Sequence, residues 1–259
     1  MSVAPPDNVL HRLQHAQHVV VLTGGGMAAE SHIPTFREAH TGRWAEYDVR
    51  ELATQQGFAR NPRLVWEWYD YRRRSAEAAE PSAAHYALVD LEQYFPRFTL
   101  ITQTIDGLHW RAGSRNLIEV NGCLRRSRCF DAGHVLSAWE EEGPKPPLCP
   151  HCGGMLRPDV VMFGEGLPEW ELRRAREAVE SCDIFMCVGA VGAIEPIASF
   201  PFVAKRARAY VIAIDDTDSM YALMSDHVIP AKPGEVLPDL VRAIAGNQGD
   251  EGSQAEGIA

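Results

Sequence analysis

The stretch HVVVLTGGGMAAESHIPTFR, residues 18–37, decides the fold. Val19, Val20, Val21 and Leu22 form an unbroken apolar run that stops at three glycines. A short run of this kind, apolar on both faces, predicts a strand in the interior of a parallel sheet. Gly24, Gly26 and Ala29 then satisfy the Gly-x-Gly-x-x-Gly/Ala spacing. In that pattern the missing side chains let backbone approach a pyrophosphate, and the helix that follows offers free N–H groups. Alone the spacing is weak, because many parallel strands end in glycine-rich turns for steric reasons.

Working outward, strand-like runs recur at 98–102, 117–120, 183–188, 210–214 and 227–229, separated by amphipathic stretches such as PEWELRRAREAVES at 168–181. This alternation predicts an α/β fold, a Rossmann-like parallel sheet covered on both faces. Ligands of such sheets bind outside the carboxyl ends of the strands, which here means the Gly24–Gly26 loop, the Gln103–Asp106 turn and Gly189. Two insertions interrupt the pattern. Residues 1–37, 81–121 and 157–245 are therefore assigned to a discontinuous larger domain, and 38–80 with 122–156 to a smaller helical and cysteine-bearing module. The last residues, 246–259, are polar and aperiodic and are expected to form a disordered tail.

Composition narrows the function. The chain has 259 residues, is 46% hydrophobic and carries a formal charge of −10, which argues against a nucleic-acid partner. Arg72-Arg73-Arg74 is the one basic run, and a solvated helix face accounts for it equally well. No segment approaches membrane-spanning length, and MSVAPPDNVL lacks the charged start and apolar core of a signal peptide, so the expected location is cytoplasmic and away from membranes. Six cysteines in a chain this long read as reduced thiols or metal ligands.

Beyond the glycine loop come PSAAHYALVDLE (81–92), ITQTIDGLHWRAG (101–113), LIEVNGCLRRSRC (117–129), RPDVVMFGEGLP (157–168) and GEVLPDLV (234–241). In this order the series resembles the sirtuin family of NAD-dependent protein deacylases, over roughly residues 8–245. The resemblance implies NAD as cofactor and a smaller module that is helical and zinc-ribbon-like. It implies that Gly24, Gly25, Gly26, Ala29, Glu30 and Thr35 belong to the loop over the nucleotide, with Phe36 shielding the ribose and Arg37 near the phosphates. It also places Gln103 and Asp106 at the ribose and the nicotinamide carboxamide, and Gly189, Val191 and Asp215 at the adenosine half.

Several positions depart from the family pattern. Gly25 replaces alanine, His32 replaces glycine, and the usual Gly-Thr-Ser reads Gly189-Ala190-Val191. Asp215 stands where asparagine is usual, and Thr104 replaces an asparagine, losing a paired donor and acceptor. The largest departure is Asn121, where the family has a histidine that takes a proton from a ribose hydroxyl in the second half of the reaction. A neutral amide is no base near pH 7. The retained Asp106 and Gln103, with Thr104 and Asn121, therefore make up an altered catalytic set that can still assist cleavage of the nicotinamide–ribose bond, a step that needs positioning and charge stabilisation but no base.

On the substrate side, Val161, Phe163, Gly164 and Glu165 match the segment where sirtuins add a peptide as a strand. Tyr69 and Arg72, three apart on one predicted helix, resemble the Tyr-x-x-Arg pair by which one sirtuin class recognises acidic acyl groups. The acceptor is thus expected to be a peptide or a small carboxylate-bearing group. The family's zinc site has two Cys-x-x-Cys pairs; only Cys149 and Cys152 form one here, and Cys129 has Ala132 where its partner would be. His134 could complete a Cys3His set, with His151 the poorer substitute. These departures order the functional expectations: ADP-ribosyl transfer to an acceptor first, slow removal of acidic acyl groups from lysine second, and NAD binding without catalysis third.

Overall fold

The computed structural model describes residues 6–140, 142–190, 194–215 and 219–251. The apolar runs become strands: β1 is His18–Thr23, β2 Arg97–Thr102, β3 Leu117–Glu119, β4 Gly122–Cys129, β5 Val135–Leu136, β6 Leu156–Val160, β7 Ile184–Val188, β8 Tyr210–Ile214 and β9 His227–Ile229. Six of them form one parallel sheet in the order β3-β2-β1-β7-β8-β9. β1 is buried along its whole length because it has neighbours on both edges and helices on both faces.

Side-chain alternation divides the core. Val19, Val21, Leu100 and Met186 pack on one face, against the helices Asp7–His15, Ala83–Tyr94 and Pro233–Glu251. Val20, Leu22, Ile101 and Phe185 pack on the other, against Glu169–Glu180 and Phe200–Arg206. The chain leaves β1 in opposite directions, toward β2 on one side and β7 on the other, so the sheet has its switch point between β1 and β7. The loops after these two strands open the crevice in which such folds hold a ligand.

The second layer is a small antiparallel sheet, β5-β4-β6, beside the long helix Pro62–Ala78. Asn61 starts that helix by accepting a hydrogen bond from the Leu64 amide at 3.2 Å, with Pro62 in the first turn where its missing N–H costs nothing. Trp68 and Tyr69 on its inner face are buried with Phe58, Trp44, Leu124 and Met162. Two boundaries differ from the sequence reading. Residues 157–160, placed with the larger domain, pair with β4 in the small sheet because Leu156–Val160 is one continuous strand. The closing helix runs on to Glu251, into the segment expected to be a tail.

Candidate active site

The glycines after β1 meet the chain after β7 at close range. Register pairs Thr23 with Val188, so Gly24 and Gly26 lie beside Gly189 and Ala190. The Gly24 N–H donates to Val188 O at 3.3 Å and the Gly26 N–H to Gly189 O at 2.8 Å. A Cβ on Gly26 would stand 2.7 Å from Gly189 Cα, backbone against backbone, so position 26 excludes any side chain. Gly189 has φ +54, in the left-handed region. His32 also has a positive φ, of 58, where the family pattern has glycine; its exposed imidazole occupies a backbone conformation that L side chains adopt at a cost.

In front of this loop lies a cavity of about 420 Å³. It gathers Gly25, Thr35 and Phe36 from the glycine loop, Gln103, Thr104 and Asp106 from the turn after β2, and Asn121 from the junction of β3 and β4. Tyr69 and Arg72 reach it from the long helix, and Val161, Phe163, Gly164 and Glu165 from the segment after β6. Thr35 caps the short helix Phe36–Ala39 in a capping box with Glu38, which fixes where Phe36 begins. The Phe36 ring meets Trp68 and Phe163 edge to face at 5.6 and 5.5 Å between centroids.

Other candidates sit elsewhere. Ala29 is exposed on the helix Gly25–Glu30, and Ala28 lines the cavity in its place. Glu30 faces away: its carboxylate accepts from the Gly234 N–H at 2.7 Å and the Ser82 hydroxyl at 3.2 Å, tying the loop to the closing helix. Gly24, Gly26 and Gly189 form the floor beneath the loop, and Asp215 is buried at the carboxyl end of β8. Val191 and the Arg37 side chain lie outside the described residues. Among the lining residues the sequence reading missed are Ile33, Tyr71, Met162, Ile194 and Glu195. Of these only Ile33 and Met162, inside quoted motifs, carried a signal.

Asn121 donates from Nδ2 to Gln103 O at 2.8 Å, which leaves Oδ1 and one N–H hydrogen for a ligand. Neither is a base. Asp106 accepts from the Leu108 amide at 2.8 Å, and burial raises its carboxyl against that hydrogen bond and one from Thr104. Thr104 is tied to Thr102, hydroxyl to hydroxyl, at 3.0 Å. Cys123, close behind in sequence, is buried and its thiol is pushed up to about 12, so it is not a nucleophile.

Arg72 makes no ion pair among the described residues, although the Asp106 carboxylate in the same cavity attracts it at longer range. Its guanidinium lies 5.5 Å from the Phe36 centroid and 5.8 Å from that of Trp68, and burial lowers its proton affinity. Burial likewise raises the Tyr69 phenol to about 12, keeping it a neutral donor. Glu165 is held otherwise. Burial would raise its carboxyl, but Arg157, at 2.9 Å from Oε2, and the Met162 amide at 2.7 Å bring it below the ordinary value. The N–H groups of Val161, Phe163 and Glu165 are spent on Asn121 O, Ala53 O and Met162 O. Carbonyls and the Gly164 N–H are what this segment offers an added strand.

Away from the cavity, Cys129, His134, Cys149 and Cys152 bring their ligand atoms within 4.8 Å of one another. Cys129 Sγ lies 3.5 Å from Cys152 Sγ and Cys149 Sγ 3.5 Å from His134 Nδ1. A tetrahedral zinc with ordinary bond lengths needs ligand separations of roughly 3.5–3.8 Å, so the set fits that metal. His151 is not part of it, although its ring lies 5.1 Å from that of His134.

A family model described as the Sir2 family matches residues 24–196. The chain belongs to the Sir2 family. It is 44% identical over 237 residues, 92% of this chain and 95% of the other, to an NAD-dependent protein deacylase 2 of Pyrobaculum aerophilum. It is also similar to a solved Sir2 homologue in complex with NAD, with TM-score 0.87 and 37% identity over 95% of this chain and 97% of that one. A Sir2 homologue with a histidine-to-asparagine mutation, solved with ADP-ribose, is similar at TM-score 0.86 and 37% identity over 95% of this chain and 98% of that one. Among the described residues no helix is long and apolar enough to cross a membrane.

Proposed function

We propose that this Sir2-family chain is an NAD-dependent protein deacylase that prefers acyl groups ending in a carboxylate and completes its second half-reaction slowly. The observation that carries the reading is Arg72, a guanidinium that makes no ion pair among the described residues, on the same cavity as Asp106, Gln103 and Asn121. An apolar acyl group gives that cation nothing. A carboxylate neutralises it, and in this reading the Tyr69 hydroxyl adds a hydrogen bond. The deacylase activity named for the 44% identical relative supports the reaction class.

Bound NAD supplies the electrophilic ribose carbon when nicotinamide leaves. The glycine floor at Gly24, Gly26 and Gly189 gives its phosphates backbone rather than side chains to lie on. In this reading Asp106 orients the carboxamide of the leaving group, Gln103 the ribose, and Phe36 closes over both. The backbone of Val161–Glu165 holds the peptide so that the acyl oxygen faces the ribose. Asn121 accepts a hydrogen bond from a ribose hydroxyl at Oδ1 and cannot remove the proton. Water must take it, which forfeits a factor of about 100 to 10,000 in that step.

The same asparagine favours a second reading, transfer of ADP-ribose to an acceptor: with acyl migration stalled, another nucleophile can displace the acyl oxygen from the ribose carbon, returning the acylated lysine unchanged. One experiment separates the two. Purified protein is incubated with NAD and a succinylated peptide while nicotinamide, peptide mass and adenine-labelled protein are followed. Desuccinylated peptide, formed in step with nicotinamide, supports deacylation; labelled protein with unchanged peptide supports transfer. Neither product, in the presence of measurable NAD binding, refutes both.

A further inference from the structure

The segment after β6 has its backbone tied down by one of its own side chains. The Glu165 N–H donates to Met162 O at 3.0 Å and closes a four-residue turn, in which Gly164 takes φ +87, a conformation that favours glycine. The Glu165 side chain folds back across the same turn. Its Oε2 accepts from the Met162 N–H at 2.7 Å and from an Arg157 guanidinium nitrogen at 2.9 Å, while Oε1 accepts from the other guanidinium nitrogen and from Gln55 Nε2. A carboxylate has about four acceptor positions, and these donors fill them. Glu165 therefore lines the cavity with no acceptor position left for a substrate.

Arg157 completes the clamp. It stands on β6, is 5% exposed, and besides Glu165 it donates to Val160 O at 2.6 Å and to Pro158 O at 3.2 Å. One planar guanidinium thus fixes the end of a strand and, through a carboxylate held in two parallel hydrogen bonds, the first amide of the turn that follows. Phe163, inside that turn, donates its N–H to Ala53 O at 2.9 Å and meets the Phe36 ring at 5.5 Å. The geometry points to Arg157 and Glu165 as positioning residues: a buried ion pair that sets the register and rigidity of the Val161–Gly164 backbone without itself touching peptide or NAD. Under the deacylase reading, on which this rests, the peptide pairs with that backbone. A segment ordered beforehand spares the complex the entropy of ordering it, whereas a released one must be ordered at every encounter. Peptide affinity then depends on two charges that make no contact with the peptide.

Removing one partner leaves a buried charge unpaired and endangers the fold, whereas replacing both by apolar residues of similar size often does not. The main variant is therefore the double substitution Arg157→Met with Glu165→Leu in the full chain. Glu165→Gln, which keeps the shape and loses the charge, is the second. Both are compared with the unaltered protein by steady-state kinetics on a succinylated peptide at saturating NAD, by NAD titration and by calorimetric melting. KM for the peptide is expected to rise roughly tenfold in the double variant and at least about threefold in Glu165→Gln, with kcat and the Kd of NAD within about threefold. Amide hydrogen exchange should quicken at residues 161–165 and not along β1 or β7. A peptide KM within about twofold of the unaltered value, in a variant that melts cooperatively, overturns the proposal. So does a rise in KM matched by an equal loss of NAD affinity, which is what general loosening of the fold would give. Should the double variant fail to melt cooperatively, Glu165→Gln decides by the same criteria. An unaltered protein that turns over no acylated peptide defeats the deacylase reading as well; turnover with an unchanged KM in the variants defeats this proposal alone.

Discussion

Replacing Arg72 by methionine should do two things in opposite directions. The guanidinium is half-buried and makes no ion pair among the described residues, so its desolvation is offset only in part, by Tyr69 and by Asp106 at longer range. What it gains is two cation–π contacts at 5.5 and 5.8 Å, near the outer limit of that interaction, where about 0.5–1 kcal/mol each is expected. Desolvating a cation costs several kcal/mol, so burial outweighs the ring contacts. Methionine keeps the stem and drops the charge. Thermal stability is therefore expected to hold or rise, by roughly 2–4 °C per kcal/mol gained in a chain of this size. Turnover of a succinylated peptide should fall, since a charge-assisted contact of about 1.5–3 kcal/mol is removed, or roughly tenfold to a hundredfold in kcat/KM. Turnover of an acetylated peptide should change by less than about threefold, because acetyl has nothing for the guanidinium to hold. The assay is mass-spectrometric deacylation of matched peptides alongside calorimetric melting. A variant that melts lower and keeps its succinyl-to-acetyl preference would refute the reasoning.

Three further outcomes follow from other parts of the molecule. Gly26→Ala puts a Cβ 2.7 Å from Gly189 Cα, so the loop must shift; NAD affinity by titration should drop at least about tenfold, and an unchanged affinity would mean the loop floor is not at the nucleotide. His134→Ala removes one of four converging ligands, so zinc per chain, measured by elemental analysis after mild chelation, should fall from near one toward zero; unchanged stoichiometry would remove His134 from the set. Burial holds His85 down at about 4, against an ordinary 6.5, and the neighbouring His109 well below its ordinary value, so the unfolded chain binds more protons than the folded one in this interval. The stability they contribute is present above pH 6.5 and is lost as pH falls toward 4. Melting temperature should decline across that window, and His85→Gln should flatten the decline; an equally steep profile in the variant would exonerate His85.

The parallel sheet was legible because β1, β2, β7 and β8 are buried on both faces, which leaves continuous apolar runs that no surface helix would show. β6 was harder to place. Its residues, Leu156–Val160, include Arg157 and Asp159, buried through pairing with Glu165, Arg126 and Arg128, and a buried ion network has no hydrophobic period. In the candidate site, spacing pointed to Gly26 because a backbone requirement is written locally, while Gln103 and Asn121 came from the family resemblance and line the cavity together. The outward turn of Glu30 was not, since it depends on Ser82 and Gly234, far away in sequence. Glu195 and Ile194 reach the cavity from the far side of the switch point, a neighbourhood created by topology and by no local pattern.

The central claim is that the pocket retains what nicotinamide release requires and lacks the proton acceptor that acyl migration requires. Single-turnover kinetics of Asn121→His beside the unaltered protein, with NAD and succinylated peptide, tests it most directly. Nicotinamide release is expected to stay within about threefold while desuccinylation rises by about 100 to 10,000. Equal desuccinylation rates in the two proteins, or a matching rise in nicotinamide release, would contradict it.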